Sequence, residues 1–343
     1  MSLKIALLSP VAWKTPPDKY GPWELVVANL AKGLVGLGHD VTVFATKDSS
    51  INSFCKLEAI CPTPWEESDD VDPKVMEYQH ISHCFEMADK FDVIHNHFDF
   101  MPLAYSRLVD IPIVTTIHGF SSEKILPIYQ KYTNDKNCHY VAISEANRHP
   151  TLTYTATIYH GVDSRNKYSN PSGHAKDLLF LGRLHPDKGP EDAIKIAKLS
   201  NHRLYIGGLI QDRTYFDEVI LPNIDNEQII YLGCIGEKEK ASLYPKIKAL
   251  LHPIYFEEPF GLSVAESLMQ GVPVIAYNRG SMRELIINEM NGYLVSGIDE
   301  AIQKLQLISN LSHNDIRQDA LERFSLDKMC QAYSELYYSI MKQ

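Results

Sequence analysis

No two cysteines in this sequence stand in C-x-x-C spacing. The six present are scattered, at positions 55, 61, 84, 138, 234 and 330. Such thiols make neither a disulfide framework nor a zinc ribbon, and they predict a reduced, cytoplasmic protein. Excess positive charge is missing too: 33 basic residues against 43 acidic ones leave a net charge of −10. Non-specific nucleic-acid binding needs a basic footprint, so the balance argues against it. A local basic patch for phosphate stays open. No apolar run approaches the roughly 18 residues of a transmembrane helix, and none is predicted. The opening MSLKIALLSP has neither the long apolar region nor the small-residue cleavage site of a signal peptide. No repeat recurs at a fixed period.

What is there has ordinary proportions. The 343 residues, 45% hydrophobic and 22% charged, match average globular composition, which decides against a disordered or collagenous chain. The length suits about two domains. Short β-branched or Leu-rich runs alternate with amphipathic stretches throughout. Strands are predicted at 3–8, 40–45, 91–95, 112–118 and 139–144, with a helix over 23–37. The polar segment 164–177, with Pro171 and Gly173, reads as a linker. The alternation then restarts, with strands at 177–182, 203–208, 229–233, 249–254 and 272–277, a helix near 190–199, and helical sequence from Asp299 onward. Strands alternating with helices imply βαβ units and a mainly parallel sheet. The fold class is therefore α/β: two doubly wound, Rossmann-like domains facing across a cleft, with ligands at the carboxyl ends of strands. The acidic stretch 66–72 reads as a solvated loop.

Two segments carry chemistry. In FEEPFGLSVAESLMQGVPVIA (256–276), Phe260 and Gly261 open a helix whose first amides have no intrahelical partner, an arrangement that favours an anion. Glu258 precedes that helix, and Glu266 lies about two turns in, within reach of polar hydroxyls. The alternative is that both are surface acids at a helix start. Glu266 fits that poorly, because it sits amid Val264, Ala265 and Leu268. In FLGRLHPDKGPEDAIKIA (180–197), Arg183 follows a strand and Lys188 precedes a helix. Two surface cations are the plain alternative; beside an anion-ready turn, a diphosphate site gains weight.

These segments resemble family 4 glycosyltransferases, retaining enzymes of the GT-B fold. The resemblance rests on GR-x4-KG (182–189), EPFG-x4-E (258–266), GVPVIA (271–276), RGSMRE (279–284) and NGYLV (291–295). In the first half it includes residues 19–45, FDVIHNH (91–97), TTIHG (115–119), AISEANR (142–148) and IYHGVD (158–163), and it extends to the ending 323–341. A subgroup with YGG-x-E, GR-x4-KGP and RGS is similar, and some of its members glucosylate small molecules such as tetrahydrobiopterin.

The resemblance implies domains at 1–170 (acceptor) and 171–325 (nucleotide sugar), with a helix over 326–343 packing back on the first. It implies a metal-independent hexosyltransferase using a nucleotide-sugar donor, UDP-glucose first, as co-substrate. No cofactor is implied, and the acceptor is a small molecule, a glycan or a lipid-linked group. Arg183 and Lys188 would hold the diphosphate, Glu266 the ribose and Glu258 the transferred sugar. Cys234 and Ile235 would receive the base, and Phe260, Gly261, Leu262 and Ser263 would offer backbone groups. Gly21 would approach the donor. His118 would lie beside the anomeric region, and Trp23, Glu24 and His97 would face the acceptor.

Two positions depart from the family pattern. Gly21-Pro22 replaces a glycine pair, and proline lacks an N–H to offer phosphate. His160 stands where Asn is common. His95, His97 and His118 have no partner ligands at zinc spacing, and His95 is expected to be structural. Asp70 and Asp72 resemble a metal-binding D-x-D without its surroundings. Rival functions are a nucleotide-sugar epimerase or phosphorylase on the same fold, or a catalytically silent sugar-nucleotide-binding module. A membrane-docked scaffold would need a basic amphipathic helix, whereas 23–37 carries only Lys32 as a cation.

Overall fold

The structure, a computed structural model, describes residues 2–163 and 175–342. Most of the expected linker, and the expected boundary at 170/171, lie outside the described residues. The chain forms two compact units, Met1–Gly161 with Leu326–Gln343, and Val162–Ser325.

In the first unit seven strands form one sheet: β1 (Lys4–Leu8), β2 (Asp40–Phe44), β3 (Lys56–Glu58), β4 (Val93–Asn96), β5 (Ile113–Ile117), β6 (Cys138–Ala142) and β7 (Ala156–Thr157). Their order is β3-β2-β1-β4-β5-β6-β7, and every pairing is parallel. The second unit has β8 (Asp177–Leu181), β9 (Leu204–Gly207), β10 (Ile229–Tyr231), β11 (Ile247–His252), β12 (Val274–Tyr277) and β13 (Gly292–Val295). They are ordered β10-β9-β8-β11-β12-β13, again all parallel. Strands buried on both faces read as continuous apolar runs, as in the fully buried VIAY of β12. The strand order reverses between β1 and β4 and between β8 and β11. Ligand crevices of doubly wound sheets open beyond the strand ends at such reversals. Two Rossmann-like parallel sheets are thus the fold class anticipated from the sequence.

Some details differ from expectation. β3 and β7 are too short to show a period, and β13 starts on the glycine of an Asn-Gly, which is a turn signal in sequence. β11 starts two residues earlier than expected and stops at His252, before Pro253, which has no N–H for a ladder. The stretch 66–72 is not all loop. Asp72 caps the helix Pro73–Glu86, accepting from Lys74 N at 2.9 Å and Val75 N at 3.2 Å, which gives the D-x-D an ordinary structural reason.

The helix Leu326–Ile340 packs on Pro22–Gly36. Their approach is set by Gly33, where a Cβ would stand 2.1 Å from Cys330 Sγ. Alanine in mid-helix gains roughly 0.5–1 kcal/mol over glycine, whereas overpacking costs about 1–3 kcal/mol. The clash should win. Gly33→Ala is expected to lower Tm by several degrees, and adding Cys330→Ala to recover most of the loss. A Gly33→Ala protein as stable as the wild type would contradict this packing.

Glu24, in the first turn of Pro22–Gly36, is only 3% exposed, and its Oε1 accepts from Trp13 N at 3.3 Å. Burial pushes its carboxyl up to about 7 from an ordinary 4.5, against the weaker pull of backbone N–H groups. The folded chain therefore holds a proton that the unfolded chain has released. Stability falls as pH rises from 4.5 through 7. Relative to Glu24→Gln, the wild type should lose about 2–3 kcal/mol between pH 5 and 8. Denaturant midpoints at the two pH values check it; parallel shifts for both proteins would rule it out.

Candidate active site

In the second unit, Arg183 sits just past β8, and His252 ends β11, its neighbour across the strand-order reversal. Pro186–Lys188 forms one 3-10 turn, and Gly189 turns the chain into the helix Pro190–Leu199. Gly189 has φ 68°, and a Cβ there would lie 1.9 Å from Pro253 O. Only glycine lets the Lys188 turn lie this close to the loop after β11.

That approach brings Lys188 to Glu258. Nζ is 2.7 Å from Oε2, with the two side chains 14% and 11% exposed. The ammonium also lies 4.3 Å from the centre of the Phe256 ring, and His252 Nε2 is 3.5 Å from the same Glu258 oxygen. Burial alone would raise the Glu258 carboxyl. The His252 contact and the Lys188 charge overcome it and hold the group at about 2, so it is an anion at any physiological pH. The RGS segment supports this glutamate from behind. A Cβ on Gly280 would fall 2.4 Å from Glu258 N and O, and Ser281 N donates to Glu258 O at 2.9 Å.

Gly261, at φ 87°, precedes the helix Leu262–Met269. The hydrogen-bond ladder starts at Val264 N to Gly261 O, so the amides of Leu262 and Ser263 come before it. The Phe260 side chain is core, edge-on to Phe324 at 6.0 Å; only its backbone can serve a ligand. The loop with Cys234 and Ile235 follows β10 after Gly233, whose carbonyl accepts from Gly208 N at 2.9 Å.

Two expected site residues are engaged elsewhere. Arg183 contacts Asp187 Oδ2 at 3.5 Å and donates to Gln211 Oε1. Glu266 is not open to hydroxyls on all sides, because its Oε2 accepts from Lys240 Nζ at 2.7 Å.

The remaining expected residues belong to the first unit. Gly21, at φ 145°, stands ahead of Pro22 at the start of its helix. Burial holds four histidines well below their ordinary pKa, His160 at about 3, so all are neutral. His97 Nδ1 lies 3.0 Å from His118 Nε2, and His118 Nδ1 lies 3.2 Å from His160 Nε2. Trp23 stacks on His118 at 4.9 Å. His95 is satisfied by Tyr337 and Thr116 at 2.6 and 2.8 Å. Both His118 nitrogens are thus committed to neighbouring rings.

Sequence reasoning passed over His252, hidden inside a strand pattern, and Lys240, which reads as one cation in a charged helix. His160 was legible only as a departure. Among the described residues no group of three or more His, Cys, Asp or Glu side chains could hold a metal ion. No described helix is long and apolar enough to cross a membrane.

Comparison with known proteins accords with this layout. Residues 24–165 match the model of glycosyltransferase family 4, and residues 164–324 that of glycosyl transferases group 1. An uncharacterized glycosyltransferase of Methanocaldococcus jannaschii is 23% identical over 99% of both chains. Sucrose-phosphate synthase from Thermosynechococcus elongatus superposes with a TM-score of 0.80 at 17% identity, covering 99% of each chain. Anabaena HepE, solved with UDP and glucose, gives 0.73 at 19% identity, covering 98% of this chain and 100% of its own. These structural likenesses show the fold, which is of the GT-B kind.

Proposed function

For a chain that joins a family 4 glycosyltransferase domain to a group 1 domain, we propose transfer of a hexose from a nucleoside diphosphate sugar to an acceptor hydroxyl, with retention at the anomeric carbon. The observation that carries this is the buried Lys188–Glu258 pair beside the strand ends where the second sheet reverses. Support for a UDP-linked donor comes from HepE, which was solved with UDP-glucose.

In this scheme the bond from the anomeric carbon to the diphosphate oxygen breaks, and its electron pair stays on that oxygen. Lys188 and Arg183, with the Leu262 and Ser263 amides, stabilise the growing charge, where preorganised donors act most strongly. They do so without calling on a divalent cation. The acceptor oxygen bonds to the carbon on the same face, and its proton passes to the departing diphosphate. Glu258, held near a pKa of 2, accepts hydrogen bonds from sugar hydroxyls and faces developing positive charge; it does not trade protons. Trp23, Glu24 and His97 are assigned to the acceptor, and neutral His118 to a place beside the sugar, without a hydrogen bond from its ring, whose nitrogens are taken by His97 and His160. Cys234, Ile235 and Glu266 are assigned to the nucleoside.

The test is release of nucleoside diphosphate from UDP-glucose, GDP-mannose and ADP-glucose, in EDTA, with and without small-molecule, glycan and lipid-linked acceptors. Acceptor-dependent release in EDTA, with the donor's anomeric configuration kept in the product, is expected. Tight donor binding without release under any condition would point instead to a silent binding module. Activity lost on chelation and restored by Mn²⁺ would overturn the metal-free scheme.

A further inference from the structure

We infer that Lys240 is a positioning residue that fixes the Glu266 carboxylate for a ribose diol, and so makes the site select ribonucleotides over 2′-deoxyribonucleotides; this rests on the nucleotide-sugar function proposed above. Glu237, Lys240 and Tyr244 recur at intervals of three and four, and so share one side of the helix Glu237–Leu243 and the turn after it. Lys240 Nζ reaches Glu266 Oε2 at 2.7 Å and also contacts Glu237, with the Lys240 and Glu266 side chains 14% and 13% exposed. The Tyr244 hydroxyl is buried beside the same carboxylates, without a hydrogen-bond partner among the described residues.

The charges at this cluster depend on the lysine. Burial and the nearby Glu237 both push the Glu266 carboxyl up, and Lys240 opposes them. Burial also works against the Lys240 ammonium, but Glu266 and Glu237 together hold its pKa above the ordinary value. Removing the lysine would leave two carboxylates without their shared cation, and Glu266 would take up a proton.

The geometry suits a vicinal diol. A carboxylate only accepts, and has two oxygens to accept with. Lys240 occupies Oε2 from one side and fixes the group's orientation, leaving Oε1 for hydroxyl donors. A ligand lacking the 2′-hydroxyl would leave that buried acceptor short of a donor, the situation in which sites discriminate most sharply. Once protonated and no longer anchored, the Glu266 carboxyl could donate as well as accept, and the preference would fade.

The experiment is calorimetric titration of the intact protein with UDP, GDP and ADP and their 2′-deoxy counterparts, reading the ratio of ribo to deoxy affinity for whichever base binds. The wild type should prefer the ribonucleotide by about tenfold or more. Lys240→Met should bring the ratio close to one, and Lys240→Arg should retain most of it. If Lys240→Met does not fold, Lys240→Gln takes its place. In a Glu266→Gln background, Lys240→Met should change the ratio no further, because the pair acts as a unit. A folded Lys240→Met protein with the wild-type ratio overturns the inference, as does a wild type without ribose preference; either leaves the proposed function standing. Failure of every nucleoside diphosphate to bind removes both.

Discussion

Lys188→Ala is expected to cost about 2–5 kcal/mol of transition-state stabilisation, roughly a 30- to 5,000-fold loss in kcat/KM. Lys188 carries two loads. In the proposed reaction its ammonium meets the charge that grows on the leaving diphosphate. In the protein it is also the cation 2.7 Å from buried Glu258. Removing it leaves His252, at 3.5 Å, as the basic side chain against that carboxylate among the described residues. The carboxyl should then titrate above its present value of about 2, so an acid limb should appear in the pH–rate profile at higher pH than in the wild type. Steady-state kinetics across pH 4 to 8 check both effects. Wild-type kcat/KM in the variant would end the diphosphate role for this residue.

Glu258→Gln is expected to lower kcat by a factor on the order of 10²–10³, the effect of losing one preorganised polar contact to the reacting group, with donor KM changed far less. The amide keeps the shape of the carboxylate and loses its charge. It can no longer balance Lys188 or face the positive charge that develops on the sugar. Glu266→Gln offers the contrast. Its proposed partner, the ribose, is remote from the bond being broken and is gripped alike in ground and transition states. That variant should mainly raise donor KM. Kinetics of both variants against one donor would show a reversal of the two roles at once, as unchanged kcat for Glu258→Gln beside lost kcat for Glu266→Gln.

The sheets were legible because buried parallel strands carry apolar runs of about four residues, such as the IALL of β1 and the LLFL of β8. β7, with two residues, offers no pattern to read. The helix starts at Pro22, Pro190 and Leu262 were readable within a residue or two, since proline or glycine marks each one. The site was legible in its members but not in its pairings. Nothing in the spacing of Lys188 and Glu258, seventy residues apart in sequence, says that they meet. The meeting depends on how tightly Gly189 packs against Pro253. The commitment of Glu266 to Lys240 was hidden for the same reason. Strand ends could be ranked from sequence, yet His252 passed as one more residue of ALLHPI, because a histidine there looks no different from a satisfied core residue until its neighbour is known to be a glutamate.

If Lys188 and Arg183 hold the diphosphate of a nucleotide sugar, calorimetric titration of the wild type and of Arg183→Ala/Lys188→Ala with uridine and with UDP, which differ only in the phosphates, will show it. The wild type should bind UDP about a hundredfold more tightly than uridine, as two charge-assisted contacts allow, and the double variant should lose most of that gap while keeping its affinity for uridine. An undiminished gap in the double variant would show that the phosphates are held elsewhere.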